Sequence, residues 1–154
     1  MKRIALLVVF MVTTIVIAAC GSSAPAATQA PAQQTAVSAA AAAGTEVDVT
    51  LGDNTIDSSL TTFKVGVPYT FVITNKGNHA HNFNIAQPVS LAGSLNAALQ
   101  GALLAVPKNQ LGGGAQVTVQ YTFPDTAVST KLEFSCLIQR HYSDGMKLAI
   151  TVTN

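Results

Sequence analysis

Thr45-Glu46-Val47-Asp48-Val49-Thr50-Leu51 sets three aliphatic side chains in strict alternation with polar ones. Successive side chains of an extended chain point to opposite faces, so this period of two predicts a strand with one face on a core and one in water. The same period returns downstream. Tyr69, Phe71 and Ile73 alternate with Thr70 and Thr74, with Val72 interrupting the polar face. Val117, Val119, Tyr121 and Phe123 alternate with Thr118, Gln120 and Thr122, and Leu132, Phe134 and Cys136 with Glu133 and Ser135. Leu148, Ile150 and Val152 close the series. Short half-buried strands separated by Gly, Pro, Asn and Asp turns predict an all-β fold, an antiparallel Greek-key β-sandwich over residues 45–154. About 110 residues suffice to bury such a core.

One segment departs from this period. Between Ser90 and Ala105 the leucines fall at 91, 95, 99 and 103 with alanines between them. That spacing predicts one inserted α-helix around 90–105, with Ser90 as its N-cap and Pro107 just past its end. Its expected use is to cover an open edge or end of the sandwich, in preference to docking a partner. Gly112-Gly113-Gly114 then returns the chain to strand.

The part before Thr45 has a different character. Lys2-Arg3 precede an apolar run from Ile4 to Ala19, a charged n-region and an h-region too short for a comfortable membrane span. Residues 1–19 are therefore expected to be a signal peptide. The run ends Ile17-Ala18-Ala19-Cys20, which resembles the bacterial lipobox, and that resemblance implies a lipidated Cys20. Ordinary cleavage after small residues is the plainer reading. Residues 21–44 carry no charge and almost no large apolar side chain, so with Cys20 they are expected to form a lipidated, disordered linker. As a flexible coil this stretch would reach about 27 Å. Beyond residue 20 there are six Lys and Arg against seven Asp and Glu, so no basic surface for nucleic acid is indicated.

If Cys20 is modified, Cys136 is the one thiol left in an exported domain, with no partner for a disulfide. A lone buried cysteine is ordinarily a small hydrophobe. Its neighbours change the reading. Cys136-Leu137-Ile138-Gln139-Arg140-His141-Tyr142-Ser143-Asp144-Gly145-Met146 places a thiol, an imidazole and a thioether in one loop, four residues between each pair. A further imidazole is available in Asn78-His79-Ala80-His81-Asn82-Phe83. His81 is preferred, because it shares inward parity with Phe83 and Ile85 while His79 sits in the Gly77-Asn78 turn. One thiolate, two imidazoles and a weak thioether suit copper that alternates between Cu(I) and Cu(II), and methionine is a poor zinc ligand.

In order and approximate spacing these residues resemble the cupredoxins, the blue-copper family that includes plastocyanin, azurin, auracyanin and sulfocyanin. His81-Asn82-Phe83 resembles the family's first ligand segment, and Cys136, His141 and Met146 its late ligand loop. The resemblance spans Thr45 to Asn154. It implies one type 1 copper ion with His81, Cys136 and His141 near-planar about it and Met146 as a long axial ligand. It also implies Asn82 tying the two ligand segments together near the Cys136 sulfur, and the Ala80 carbonyl approaching the ion from the other side. Many relatives carry Pro-Gly before the loop histidine; Gln139-Arg140 stands there in this chain, which leaves the loop shape open and brings a cation close.

The expected function is single-electron transfer, not enzymatic catalysis, by a lipid-anchored monomer on the extracytoplasmic or periplasmic face of a bacterial cell membrane. Redox partner proteins would dock transiently near His141, with Leu137, Ile138 and Tyr142 as an apolar contact surface. A periplasmic copper carrier or storage protein is the alternative; three methionines, one the initiator, argue against its usual open Met-rich sites. A copper oxidase or nitrite reductase would need a further metal, for which His79 is the spare ligand.

Overall fold

The computed structural model describes residues 44–154. The expected leader, Cys20 and linker lie outside the described residues, apart from Gly44. Nine strands and three short helices follow in the order β1 (Thr45–Leu51), β2 (Ile56–Ser58), β3 (Thr62–Lys64), β4 (Pro68–Asn75), β5 (Phe83–Ala86), α1 (Val89–Ala92), α2 (Leu95–Gln100), β6 (Leu104–Val106), β7 (Gln116–Thr122), β8 (Leu132–Ser135), α3 (Gln139–Ser143) and β9 (Lys147–Thr153). One sheet has the order β2-β1-β4-β7 and the other β3-β9-β8-β5-β6. The expected all-β sandwich is observed, but it is not wholly antiparallel: β1 runs parallel to β4, and β3 to β9. After β2 the chain enters the other sheet as β3 and then returns, so β4 comes back in the direction of β1.

The alternating residues meet between the sheets. Val47, Val49, Leu51, Phe71 and Ile73 are all but inaccessible, as are Phe83, Ile85 and Phe134 from the facing strands. Phe63 is the hub, with ring centroids at 5.0 Å from Phe123, 5.1 Å from Tyr69, 5.7 Å from Phe134 and 5.8 Å from Phe71. Aromatic rings at these separations gain from edge-on and tilted contacts beyond the area they bury.

Two expectations need correction. The single helix at 90–105 is two, because Gly93 takes a left-handed φ of 89° that ends α1, and Ser94 starts α2 afresh by accepting from the Ala97 amide at 3.0 Å. Ser90 lies inside α1 and caps nothing. Leu104 and Ala105 are already in β6, paired with Ile85 and Asn84. The leucine stripe also faces the unexpected way: Leu91, Leu99 and Leu103 are exposed, while Val89, Ala92, Leu95, Ala98 and Ala102 pack with Ala86 and Leu137 into a small second core. The second correction is to β8, where Glu133 and Ser135 are buried along with Leu132 and Phe134. Alternation foresees a wet outer face, but β8 lies between β5 and β9, and the second core and Tyr142 cover it.

Candidate metal centre

His81 enters from the turn between β4 and β5, and its position is set by backbone bonds. The His81 amide donates to the Leu111 carbonyl at 3.0 Å. Asn75, at the end of β4, donates to the carbonyls of Leu111 (2.9 Å) and His79 (2.8 Å) and accepts from the Gly77 amide (2.9 Å). A buried asparagine satisfied on both ends stiffens the turn that delivers the ring.

The second segment folds back on itself. The Cys136 amide donates to the Met146 carbonyl, and the Met146 amide to the His141 carbonyl, both at 3.0 Å. Between them lies α3, a single helical turn opened by Gln139 and Arg140 that carries His141. Gly145, at φ 109°, reverses the chain into β9, a conformation that costs glycine little.

These two segments bring His81, Cys136 and His141 together. The two Nδ1 atoms are 2.9 Å apart, and Cys136 Sγ lies 3.9 Å from His81 Nδ1 and 3.5 Å from His141 Nδ1. The point equidistant from the three atoms is about 2 Å from each, close to bond lengths of ~2.0–2.1 Å to imidazole and ~2.3 Å to thiolate for a first-row ion. His81, Cys136 and Met146 are fully buried and His141 is partly exposed. Met146 is held through its backbone to both neighbouring donors. Burial pushes the Cys136 thiol pKa up; the Asn82 and Ile138 amides bonded to the sulfur, and the Lys108 charge, oppose it. The thiol therefore waits protonated for a metal to displace its proton. Burial also lowers the His81 pKa, helped by His141 alongside, so this imidazole is neutral and able to ligate.

The remaining expected residues are placed as follows. Asn82 Oδ1 accepts from the Leu137 amide at 2.7 Å and from Asn84 Nδ2 at 2.9 Å, linking the His81 segment to the residue after Cys136. Ala80 is half-buried just before His81. His79 is exposed and its Nδ1 lies 3.1 Å from Asp53 Oδ1, outside the donor group. Of the three residues expected to form an apolar docking surface, Ile138 and Tyr142 are partly exposed and Leu137 is not. Leu137 is buried in the second core, Ile138 packs on the main core, and Tyr142 packs on the second while its hydroxyl accepts from the Val89 amide at 3.1 Å. His141 opens on a depression of about 340 Å³ lined by Asp53, Asn54, His79, Arg140 and Asp144.

Asp53, Asn75 and Leu111 were not legible as site residues. They lie in or beside connections between strands and carry no ligand-like spacing in the sequence. Asp53 Oδ1 accepts from the amides of Asn78 (2.8 Å) and His79 (3.0 Å), and the His79 amide leads in holding its pKa down to about 2.

No protein-family profile and no curated protein matches this chain. Solved structures do. The dithionite-reduced auracyanin of Roseiflexus castenholzii is 23% identical, with a TM-score of 0.56 over 73% of this chain and 99% of that one. The azurin Az-iso2 of Methylomonas sp. strain J is 19% identical, with a TM-score of 0.55 over 73% and 100%. Auracyanin A of Chloroflexus aurantiacus, described as a "blue" copper protein, is 18% identical, with a TM-score of 0.51 over 70% and 99%. The chain has the cupredoxin fold, and its His-Cys-His donor group with Met146 fits a single type 1 copper ion.

Proposed function

We propose that this chain is a membrane-tethered, extracytoplasmic blue copper protein that carries single electrons, one at a time, between partner proteins. The observation that carries the reading is the meeting of one buried thiol and two imidazole nitrogens within bonding distance of a common point, at the end of a rigid sandwich. Copper bound there would supply a Cu(I)/Cu(II) couple. The chain's part is to keep the donors in one arrangement for both oxidation states, and the backbone bonds of His81, Cys136 and Met146 do so without help from side-chain freedom. Burial excludes water from the sulfur, while the partly exposed His141 ring is the short route to the surface. A partner would dock over the polar depression beside His141, a small contact suited to transient encounters.

The test is to load the full chain with Cu(II) and record its visible spectrum beside Cys136→Ser. The expected result is one equivalent of copper, an intense thiolate-to-copper band absent from the variant, and reversible one-electron reduction. Colourless copper surrendered at once to a chelator would overturn this in favour of a copper carrier. The tether is checked separately, by labelling with a radioactive fatty acid in a bacterial host. Label should partition with membranes in the wild type and be missing from Cys20→Ser.

A further inference from the structure

The far nitrogen of the His81 ring faces a carboxylate. His81 Nε2 is buried without a hydrogen-bond partner, and Asp53 Oδ1 lies 3.7 Å from it. That oxygen is fixed in place: two backbone amides and His79 Nδ1 converge on it. Gly77 is part of the same arrangement, since a Cβ there would overlap Asp53 Oδ1. The turn before His81 is thus built around Asp53, which arrives from the distant β1–β2 connection.

We propose that Asp53 is a positioning residue of the copper site, holding the His81 proton on Nε2 and biasing the bound ion toward its oxidised state. This rests on the copper reading above. A neutral imidazole carries one proton, and a negative oxygen beside Nε2 keeps it there, leaving the Nδ1 lone pair directed at the donor group. The charge has a second effect. Cu(II) exceeds Cu(I) by one positive charge, so a fixed anion behind a ligand ring stabilises the oxidised form more. His79, on the same oxygen, and Arg140 on the rim of the depression oppose this, and Asp144 on that rim reinforces it.

Asp53→Asn separates charge from shape, since the amide oxygen can still accept from Asn78 and His79. In the full-length copper-loaded chain, the variant should lose about tenfold more affinity for Cu(II) than for Cu(I), the low end of losses for groups that orient a ligand histidine. A tenfold change for a one-electron couple is a 59 mV rise in potential. In the metal-free chain, long-range ¹H–¹⁵N spectra should show the His81 proton on Nε2 in the wild type and shared between both nitrogens in the variant. Equal weakening of both oxidation states with an unmoved potential would reduce Asp53 to a builder of the turn and overturn the proposal, as would an unchanged tautomer. A wild-type chain without the thiolate band would sink the copper reading itself. The metal-free spectra would still decide the tautomer role.

Discussion

Asn82→Ala tests whether the two ligand segments are held together as the hydrogen bonds imply. Truncation strands the Leu137 amide, whose residue is 7% exposed, and removes one of the two acceptors of Asn84 Nδ2, leaving it only the Ser135 carbonyl. An unsatisfied buried amide costs ~1–3 kcal/mol and a lost bond whose donor keeps another partner ~1 kcal/mol, so the expected loss is about 2–4 kcal/mol. For a domain of this size that lowers Tm by roughly 10 °C or more. Urea unfolding of the metal-free chain should show a lower midpoint at unchanged slope. A cycle with Asn84→Ala should return a coupling of about 1 kcal/mol, because the two side chains share a bond. Adding copper should expose a second consequence: with the residue after Cys136 released, the thiolate-to-copper band should shift or broaden. A stability loss under ~0.5 kcal/mol together with zero coupling would refute the argument that Asn82 ties the segments, given the cost expected of a stranded amide.

Other perturbations probe the frame around the site. Phe63→Ala removes the ring that four other aromatics surround and should cost ~3–5 kcal/mol in the same unfolding experiment, since the sheets can collapse only partly into the space. Glu133 is 6% exposed, and burial raises its pKa above the ordinary 4.5 against the opposing pull of the Tyr142 hydroxyl and Lys147. The folded chain then holds a proton that the unfolded chain has released, so stability falls as pH rises through that window. Glu133→Gln should accordingly stabilise the fold at pH 7 and change little at pH 4. Asp53 has the reverse sign. Its pKa drops from 3.8 to about 2 on folding, so its contribution is whole above pH 4 and lost as pH falls towards 2. The Tm difference between wild type and Asp53→Asn should shrink over that range.

The strands were legible because their signal is local. Val47, Val49 and Leu51, or Tyr69, Phe71 and Ile73, need only a period of two to declare which face is wet, and all six are buried. The signal misled where burial depends on distant chain. Glu133 and Ser135 read as outward-facing from their neighbours alone, yet both are buried, Glu133 opposite Ala86 of the second core and within reach of the Tyr142 hydroxyl. The leucine repeat failed for a related reason. Spacing by four defines a helical stripe, but Gly93 and Ser94 stop and restart the helix, so that Leu95 joins Ala92, Ala98 and Ala102 in the second core while Leu91, Leu99 and Leu103 stay exposed.

The donors themselves follow the same division. The sequence alone determined that a thiol, imidazoles and a thioether exist on strand ends and turns of an all-β chain, since residue chemistry and strand parity need no third dimension. Strand parity already favoured His81 over His79, and the resemblance implied its company; the tertiary structure supplied the geometry, bringing His81 and Cys136, 55 residues apart, to one point with His141. It alone decided that Asp53 stands behind the His81 ring and that Leu137 turns inward. Which side chains become neighbours across the two sheets depends on register and crossover, and no window of a single strand contains that information.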